Sequence, residues 1–385
     1  MPKRLRVGVI GCGLVAQTQH LPNLRALPEL FELSAICDLD SSRVKRCADR
    51  FGVGRAHESS ADLLDDALDA VIIATSGDHA RLVTDAASRG LGVLVEKPLC
   101  LDLATGETLK ARLAGAEQRI MVGYMRRHDE AFIALERAAA EVGPLRAVRT
   151  RTAETAASAY LRDLAIDEDL KADEDPLRAA AGDYSLLQQR TGGSALEARL
   201  YKNIILDSLV HELNMVQALA GPATSVAFAE LSETGASVQL RCERATVQLS
   251  WVATPGAARY VQEVEVLGAA GSALVRFDSP YLPASAGRLR VESGGPGLAS
   301  TWQRSTGPAP VGPFRLELVD FYAVATGQRP AKTSFDEALS DIALCEALGR
   351  AAVRAEEVQV QRGAAGAVGT ATGDGNANLE KGARQ

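Results

Sequence analysis

RVGVIGCGLVAQTQH, residues 6–20, decides the fold. An apolar run leads straight into Gly11-Cys12-Gly13 and then into a helical pattern, so the stretch reads as strand, tight turn and helix. Gly11 stands at the strand end, where a tight turn is needed. Gly13 stands where a side chain would block close approach of a pyrophosphate, and Ala16 takes the third, helix-packing position. The first helical residues, Leu14, Val15 and Ala16, carry N–H groups without partners inside the helix. Those donors and the helix dipole bind phosphate with no cationic side chain. A G-x-G-x-x-A by itself also fits a strand-helix turn with no ligand. Asp38 decides against that: it closes the second predicted strand, 22 positions after Ala16, where a carboxylate accepts bonds from both hydroxyls of an adenosine ribose. Its charge opposes the 2′-phosphate of the phosphorylated dinucleotide, so the expected cofactor is NAD. Arg43, five residues further on, is the feature that would admit NADP; its other reading is an exposed helix charge.

Outward from this turn, RVGVI at 6–10, ELSAIC at 32–37, AVIIAT at 70–75, GVLVEK at 92–97 and RIMVGY at 119–124 alternate with helical patterns. Such alternation is the pattern of β-α-β units and a parallel sheet buried on both faces. From Asn203, NIILDSLVHELNMVQALAG repeats apolar residues at helical spacing and stops at Gly221-Pro222. From Thr224 to about Ser293 the runs SVQLRC, TVQLSWVA, YVQEVEVLG, ALVRFD and RLRVES read as neighbouring antiparallel strands. FRLELVDFYAVATG and SFDEALSDIALCEALGRAAVRA read as two more helices. The expected fold class is α/β, with a doubly wound Rossmann sheet over 1–125 and an α/β domain with an open, mostly antiparallel sheet over 126–362. The Gly, Ala and Asn-rich tail, 363–385, is expected to be disordered, and the acidic, Ala-rich stretch of about 150–200 to be an excursion.

With 42 basic and 49 acidic residues the chain carries a formal charge of −7, which excludes a general attraction to nucleic acid or anionic membrane. No run approaches the roughly 18 apolar residues that cross a bilayer, and the first strand reaches its glycines too soon to serve as a signal peptide. A cytoplasmic protein is expected. Its six cysteines contain no C-x-x-C pair and read as free thiols. No metal-ligand spacing occurs, and no metal is expected.

Two groups of residues carry chemistry. Glu96-Lys97-Pro98 ends a strand at the carboxyl edge of the sheet, where ligands of open α/β folds collect. A lysine there can donate to a reacting oxygen and stabilise alkoxide character; taken alone it fits equally a surface lysine paired with Glu96. Asp207 and His211 are four apart on one helix and share a face. A secondary alcohol loses a proton as its hydride leaves, and an imidazole within reach is a suitable base. Taken alone, His211 fits a satisfied core histidine as well. His79, after the third predicted strand, is close enough to the sheet edge to pack near the cofactor. His20, His57 and His128 read as structural or solvated.

VGVIGCGLVA at 7–16, VEKPL at 95–99 with MVGYMRRHD at 121–129, and the Asp207, His211 helix together resemble the glucose-fructose oxidoreductase and inositol dehydrogenase family, Gfo/Idh/MocA. FRLELVDFYAVATGQRP resembles its C-terminal helix, so the likeness spans about 5–355. The resemblance implies a substrate cleft between the two domains and a homodimer or homotetramer formed through the open sheet. It also implies sugar, polyol or glycoside substrates. It makes Lys97 the catalytic lysine, Asp207 the aspartate and His211 the acid/base, with Tyr124 and Arg127 near nicotinamide and substrate and Thr75 and His79 near the cofactor. Two departures stand out: Ala74-Thr75-Ser76-Gly77 replaces Ala-Thr-Pro-Asn, and Asn214 replaces a frequent aspartate. The expected activity is hydride transfer between a nicotinamide and a carbinol carbon. Its rivals are a redox-neutral, NAD-retaining hydrolase or lyase and a non-catalytic sensor.

Overall fold

Strand β1 (Leu5–Ile10) hydrogen-bonds in parallel to β2 (Phe31–Cys37) on one side and to β4 (Ala70–Ile73) on the other. With β3 (Ala56–His57), β5 (Gly92–Glu96) and β6 (Ile120–Gly123) they form a six-stranded parallel sheet ordered β3-β2-β1-β4-β5-β6. The winding direction reverses between β1 and β4, which opens a crevice at their carboxyl ends. The computed structural model describes residues 3–155, 187–189, 193–257, 259–282, 285–294, 301–305 and 311–353. Most of the excursion expected at 150–200, and all of the tail expected to be disordered from 363, lie outside the described residues.

Alternate strand residues face opposite layers. Val7, Val9, Ile72, Leu94 and Met121 pack with Leu21 and Leu24 of α1 (14–25) and with Val44, Cys47 and Phe51 of α2 (Ser41–Phe51). Ile10, Val71, Ile73, Val93, Val95 and Val122 face the other layer, with Leu63 of α3 (Ser60–Leu64), Val83 of α4 (Ala80–Ser88) and Leu109 of α5 (Leu103–Leu113). Helix α2 begins where the Asp40 carboxylate accepts the N–H groups of Ser42 and Arg43 at 2.9 and 3.0 Å, and ends at Gly52, whose φ of 65° suits glycine.

After α6 (Glu130–Glu141), β7 (Leu145–Glu154) crosses into the second sheet. Its neighbours are β8 (Ala223–Ser232), β9 (Gly235–Cys242), β10 (Thr246–Ala253), β11 (Val261–Gly268), β12 (Gly271–Phe277), β13 (Arg288–Gly294) and β14 (Thr301–Ser305). The order is β14-β13-β12-β11-β7-β10-β9-β8. Every pair is antiparallel except β7 with β10, which is parallel. Along β7, Val148, Thr150 and Thr152 point inward while Arg149 and Arg151 point out. The inner face is covered by α6 and by a long helix, α7 (195–220), opened by a Ser194–Glu197 capping box and π-helical over Tyr201–Leu209.

Two C-terminal helices join the sheets. Helix α8 (Pro313–Ala325) returns to the first sheet and buries Leu318, Phe321 and Val324 there, each worth roughly 1.5–3 kcal/mol. Gly92 permits this, because a Cβ at that position would stand 2.7 Å from the Ala325 Cβ. Helix α9 (Phe335–Val353) places Phe335, Ile342, Cys345 and Leu348 in a cluster continuous with residues of both sheets. No helix among the described residues is long and apolar enough to cross a membrane.

Where α7 meets α9, the Asn214 amide donates to Asp341 Oδ2 at 2.8 Å, and its oxygen accepts from Arg127 at 3.2 Å. Gln217 donates to Asp341 Oδ1 at 2.7 Å. Burial outweighs these bonds and pushes Asp341 up to about 7. The folded protein thus holds a proton that an unfolded aspartate releases near 3.8, and stability falls as pH rises across that window. An aspartate at 214 would offer a carboxylate where an amide now donates, which explains that departure. Asn214→Asp should cost about 2–4 kcal/mol, and more at the alkaline end of the window, where Asp341 is ionised. Urea unfolding at two pH values measures this, and a pH-independent loss would refute the Asp341 explanation.

Candidate active site

The glycine-rich turn lies at the crevice between β1 and β4. Gly11 has φ of 96°, and a Cβ on it would stand 2.7 Å from Ala74 C and 2.8 Å from Thr75 N, so the end of β4 requires glycine there. A Cβ on Gly13 would meet nothing within 4 Å. That is open space where a pyrophosphate would lie against backbone. Leu14 and Val15 begin α1 and are half-buried, and Ala16 is fully buried against the sheet. Asp38 Oδ2 accepts the Cys12 N–H at 2.7 Å and Oδ1 accepts the Asp40 N–H at 2.9 Å, with Arg43 at 3.5 Å. The carboxylate therefore fixes the turn as well as marking the end of β2. Donors at a helix N-terminus, open space at Gly13 and an acid at the strand end fit a dinucleotide.

Beyond β5, Glu96 pairs with buried His20 at 2.8 Å, which leaves Lys97 to other partners. Lys97 Nζ donates to the main-chain oxygen of Asp207 at 2.6 Å and lies 3.8 Å from Asp207 Oδ1. Asp207 sits in the π-helical part of α7, a geometry frequent at functional sites, and its side chain is 66% exposed. One turn on, half-buried His211 stands edge-on to Tyr124, with ring centroids 6.2 Å apart. Burial, then the charges of Lys97 and Arg126, hold its pKa well below the ordinary 6.5. The imidazole is neutral at neutral pH, and its Nδ1 has no hydrogen-bond partner. Tyr124 is buried, and burial raises its hydroxyl well above 10.

The two adjacent arginines point to different places. Arg127 is buried in the α7–α9 network, bonded to Asn214 and Glu337, 3.7 Å from Glu136 and stacked over Phe132. Arg126, next to it in sequence, is the cation that acts on His211. Its guanidinium lies 4.5 Å over the Phe277 ring, donates from Nε to Gln262 and from Nη2 to Asp278 O, both at 2.8 Å, and also engages the Tyr260 side chain. Gln262 in turn donates to Glu212, which also accepts from Thr152, both at 2.6 Å. Arg126, Gln262 and Glu212 were outside the reading of the sequence. An R-R pair does not say which arginine faces the cleft, and Gln262 and Glu212 lie on elements whose meeting no local pattern records.

Thr75 is half-buried beside Gly11, and the His79 ring is fully buried between backbone carbonyls. All six cysteines are among the described residues, and none is in a disulfide. Among the described residues, no three or more His, Cys, Asp or Glu side chains come together to hold a metal.

Residues 5–124 match the family model described as oxidoreductase family, NAD-binding Rossmann fold, GFO_IDH_MocA. The match takes in all six strands of the parallel sheet. Among curated relatives, the chain is 32% identical over 136 residues to myo-inositol 2-dehydrogenase of Thermotoga maritima, covering 35% of this chain and 40% of that protein. It is 30% identical over 198 residues to inositol 2-dehydrogenase of Burkholderia cenocepacia, covering 48% and 57%. The matches thus span about half the length of these relatives. The fold continues further. An Agrobacterium radiobacter oxidoreductase in complex with NAD+, L-tartaric acid and magnesium aligns over 91% of this chain and 97% of its own, with TM-score 0.70 and 19% identity. KijD10, a 3-ketoreductase from Actinomadura kijaniata in complex with TDP-benzene and NADP, aligns over 91% and 98%, with TM-score 0.68 and 22% identity. At these identities the likeness is one of fold, and it takes in both sheets.

Since burial outweighs the cations in lowering the His211 pKa, removing Lys97 should restore only part of the shift. In Lys97→Met the ring should titrate higher than in the wild type and still below 6.5. Nitrogen NMR of the imidazole checks this, and an unchanged titration would separate His211 from Lys97.

Proposed function

We propose that the protein is an NAD-dependent dehydrogenase of a sugar, polyol or glycoside, acting on a secondary alcohol. One observation carries the reading: beyond the carboxyl end of β5 a buried, neutral histidine lies within reach of the charges of Lys97 and Arg126. When bound, the nicotinamide accepts the hydride. The Gly11–Ala16 segment, Asp38 and Thr75 would hold the dinucleotide, with Leu14 and Val15 offering helix N–H groups to the pyrophosphate and Arg43 beside Asp38. The Asp38 carboxylate, with no cation spare for a 2′-phosphate, favours NAD over NADP.

His211 takes the hydroxyl proton, and its lowered pKa keeps it in the base form at neutral pH. Lys97 donates to the same oxygen and stabilises charge developing there. The exposed Asp207 carboxylate orients neighbouring hydroxyls. Arg126 would place a positive charge beside the substrate, the role that the resemblance assigns to Arg127; Arg127 would hold α7 and α9 in register instead. The named relatives are inositol dehydrogenases, which supports a cyclic polyol with adjacent hydroxyls.

The outer face of the second sheet supports a homodimer or homotetramer. A shallow depression of about 400 Å³ there is lined by Arg149, Arg151, Gln248, Ser250, Glu263 and Glu265. Rows of opposite charge are self-complementary about a two-fold axis. Light scattering tests this: Arg151→Glu should lower the mass, and a wild-type monomer would exclude the pairing.

Activity is tested by offering inositols, sugars and glycosides with NAD and with NADP and following nicotinamide absorbance. Steady NADH formation is expected, and turnover without it would sink the dehydrogenase reading. Lys97→Met and His211→Ala should each cut kcat by about a hundredfold or more while dinucleotide binding persists. The acid limb of kcat/KM should lie below 6.5.

A further inference from the structure

His79 is completely buried at the start of α4, and both of its ring nitrogens meet main-chain carbonyls. Nδ1 lies 2.7 Å from Pro98 O and Nε2 lies 2.8 Å from Thr75 O. A carbonyl oxygen only accepts, and a neutral imidazole carries one proton. In either neutral tautomer, one of these contacts would set a ring lone pair against an oxygen lone pair at hydrogen-bond distance, away from water. A ring protonated on both nitrogens satisfies both carbonyls.

The two carbonyls belong to the two halves of the site. Thr75 follows β4, and its N–H is one of the atoms that forbid a side chain on Gly11. Pro98 follows Lys97, whose ammonium reaches Asp207. We propose that His79 is a cationic positioning residue, an imidazolium that ties the Thr75 carbonyl to the Pro98 carbonyl and so fixes Lys97 relative to the glycine-rich turn. The histidine that resemblance assigns to the cofactor would act instead on the two strands that carry cofactor and lysine.

The charged groups around it are consistent with a cation. On its own element stands Asp78, whose carboxylate also accepts the Ala80 N–H at 2.8 Å. On the facing segment are Lys97, the Cys100 thiol and Asp102. Burial, then the charges of Asp78 and Asp102, push that thiol up to about 12, which keeps it protonated and uncharged. Glu96, the nearest acid on β5, is engaged by His20. The two carbonyl oxygens at hydrogen-bond distance from the ring nitrogens are the groups that call for a second N–H.

The functional half of this inference rests on the proposed role of Lys97; the charge of His79 does not. In the full-length protein labelled with nitrogen-15 histidine, and with the His79 signals assigned by their loss in His79→Gln, both ring nitrogens should be protonated at about pH 7. One bare ring nitrogen there would overturn the proposal. A glutamine amide can donate to one carbonyl and cannot span both. Folded His79→Gln should therefore keep NADH binding within about threefold, read by its fluorescence. It should lose about tenfold or more in kcat with KM little changed, on whichever polyol the wild type oxidises. Wild-type kcat in the folded variant would also overturn it. If the wild type oxidises none, only the dehydrogenase reading fails, and the nitrogen spectrum still decides the charge.

Discussion

The bond from Lys97 Nζ to the Asp207 carbonyl, 2.6 Å long, is the contact on which the site depends. It runs from the carboxyl edge of the first sheet to the π-helical part of α7, which covers the second. Each partner is held from behind. Lys97 is followed by Pro98, whose carbonyl meets His79, and α7 is anchored through Asn214 and Gln217 to Asp341 on α9. The main-chain oxygen binds the lysine and the side chain does not have to. Asp207 thus has its carboxylate free toward solvent while its backbone fixes the ammonium. One residue serves both ends of the cleft because the helix is wound differently there.

The electrostatics follow from this geometry. Burial forces the His211 ring neutral, and two cations add to the effect. An acidic partner would have worked in the opposite direction and raised its pKa. Arg126 is held in a buried position by an aromatic face, a backbone carbonyl and the Gln262–Glu212 chain. Burying Glu212 raises its own pKa even with Thr152 and Gln262 donating to it. The cost of one buried acid is what holds the arginine in place.

The first sheet was legible in the sequence because its rules are local. A strand buried on both faces, a glycine forced to positive φ at Gly11 and an acid at the next strand end all leave their mark within a few residues. Five of the six parallel strands were found; β3 is two residues long and has no periodicity to detect. The second domain was less legible. β7 lies in the middle of the second sheet, yet its inward positions include Thr150 and Thr152, so its apolar alternation is diluted. Its parallel pairing with β10 joins residues about a hundred positions apart. Lys97, Asp207 and His211 stand out as candidates in the sequence because sheet edge and helix face are readable. The partners of Arg127 do not, since Glu337 and Asn214 come from distant helices.

The same distinction explains the departure at Asn214. Read along the chain, an asparagine in place of a frequent aspartate looks like a loss at the catalytic helix. In three dimensions it faces Asp341, Glu337 and Arg127, and only an amide can donate to the first while accepting from the last. Asp341 on α9 is the buried acid of the pair, and Asn214 on α7 meets it as a donor. The substitution therefore belongs to the packing of the two helices that carry the cleft wall. The chemistry at His211, one turn earlier on α7, is left with the same neighbours.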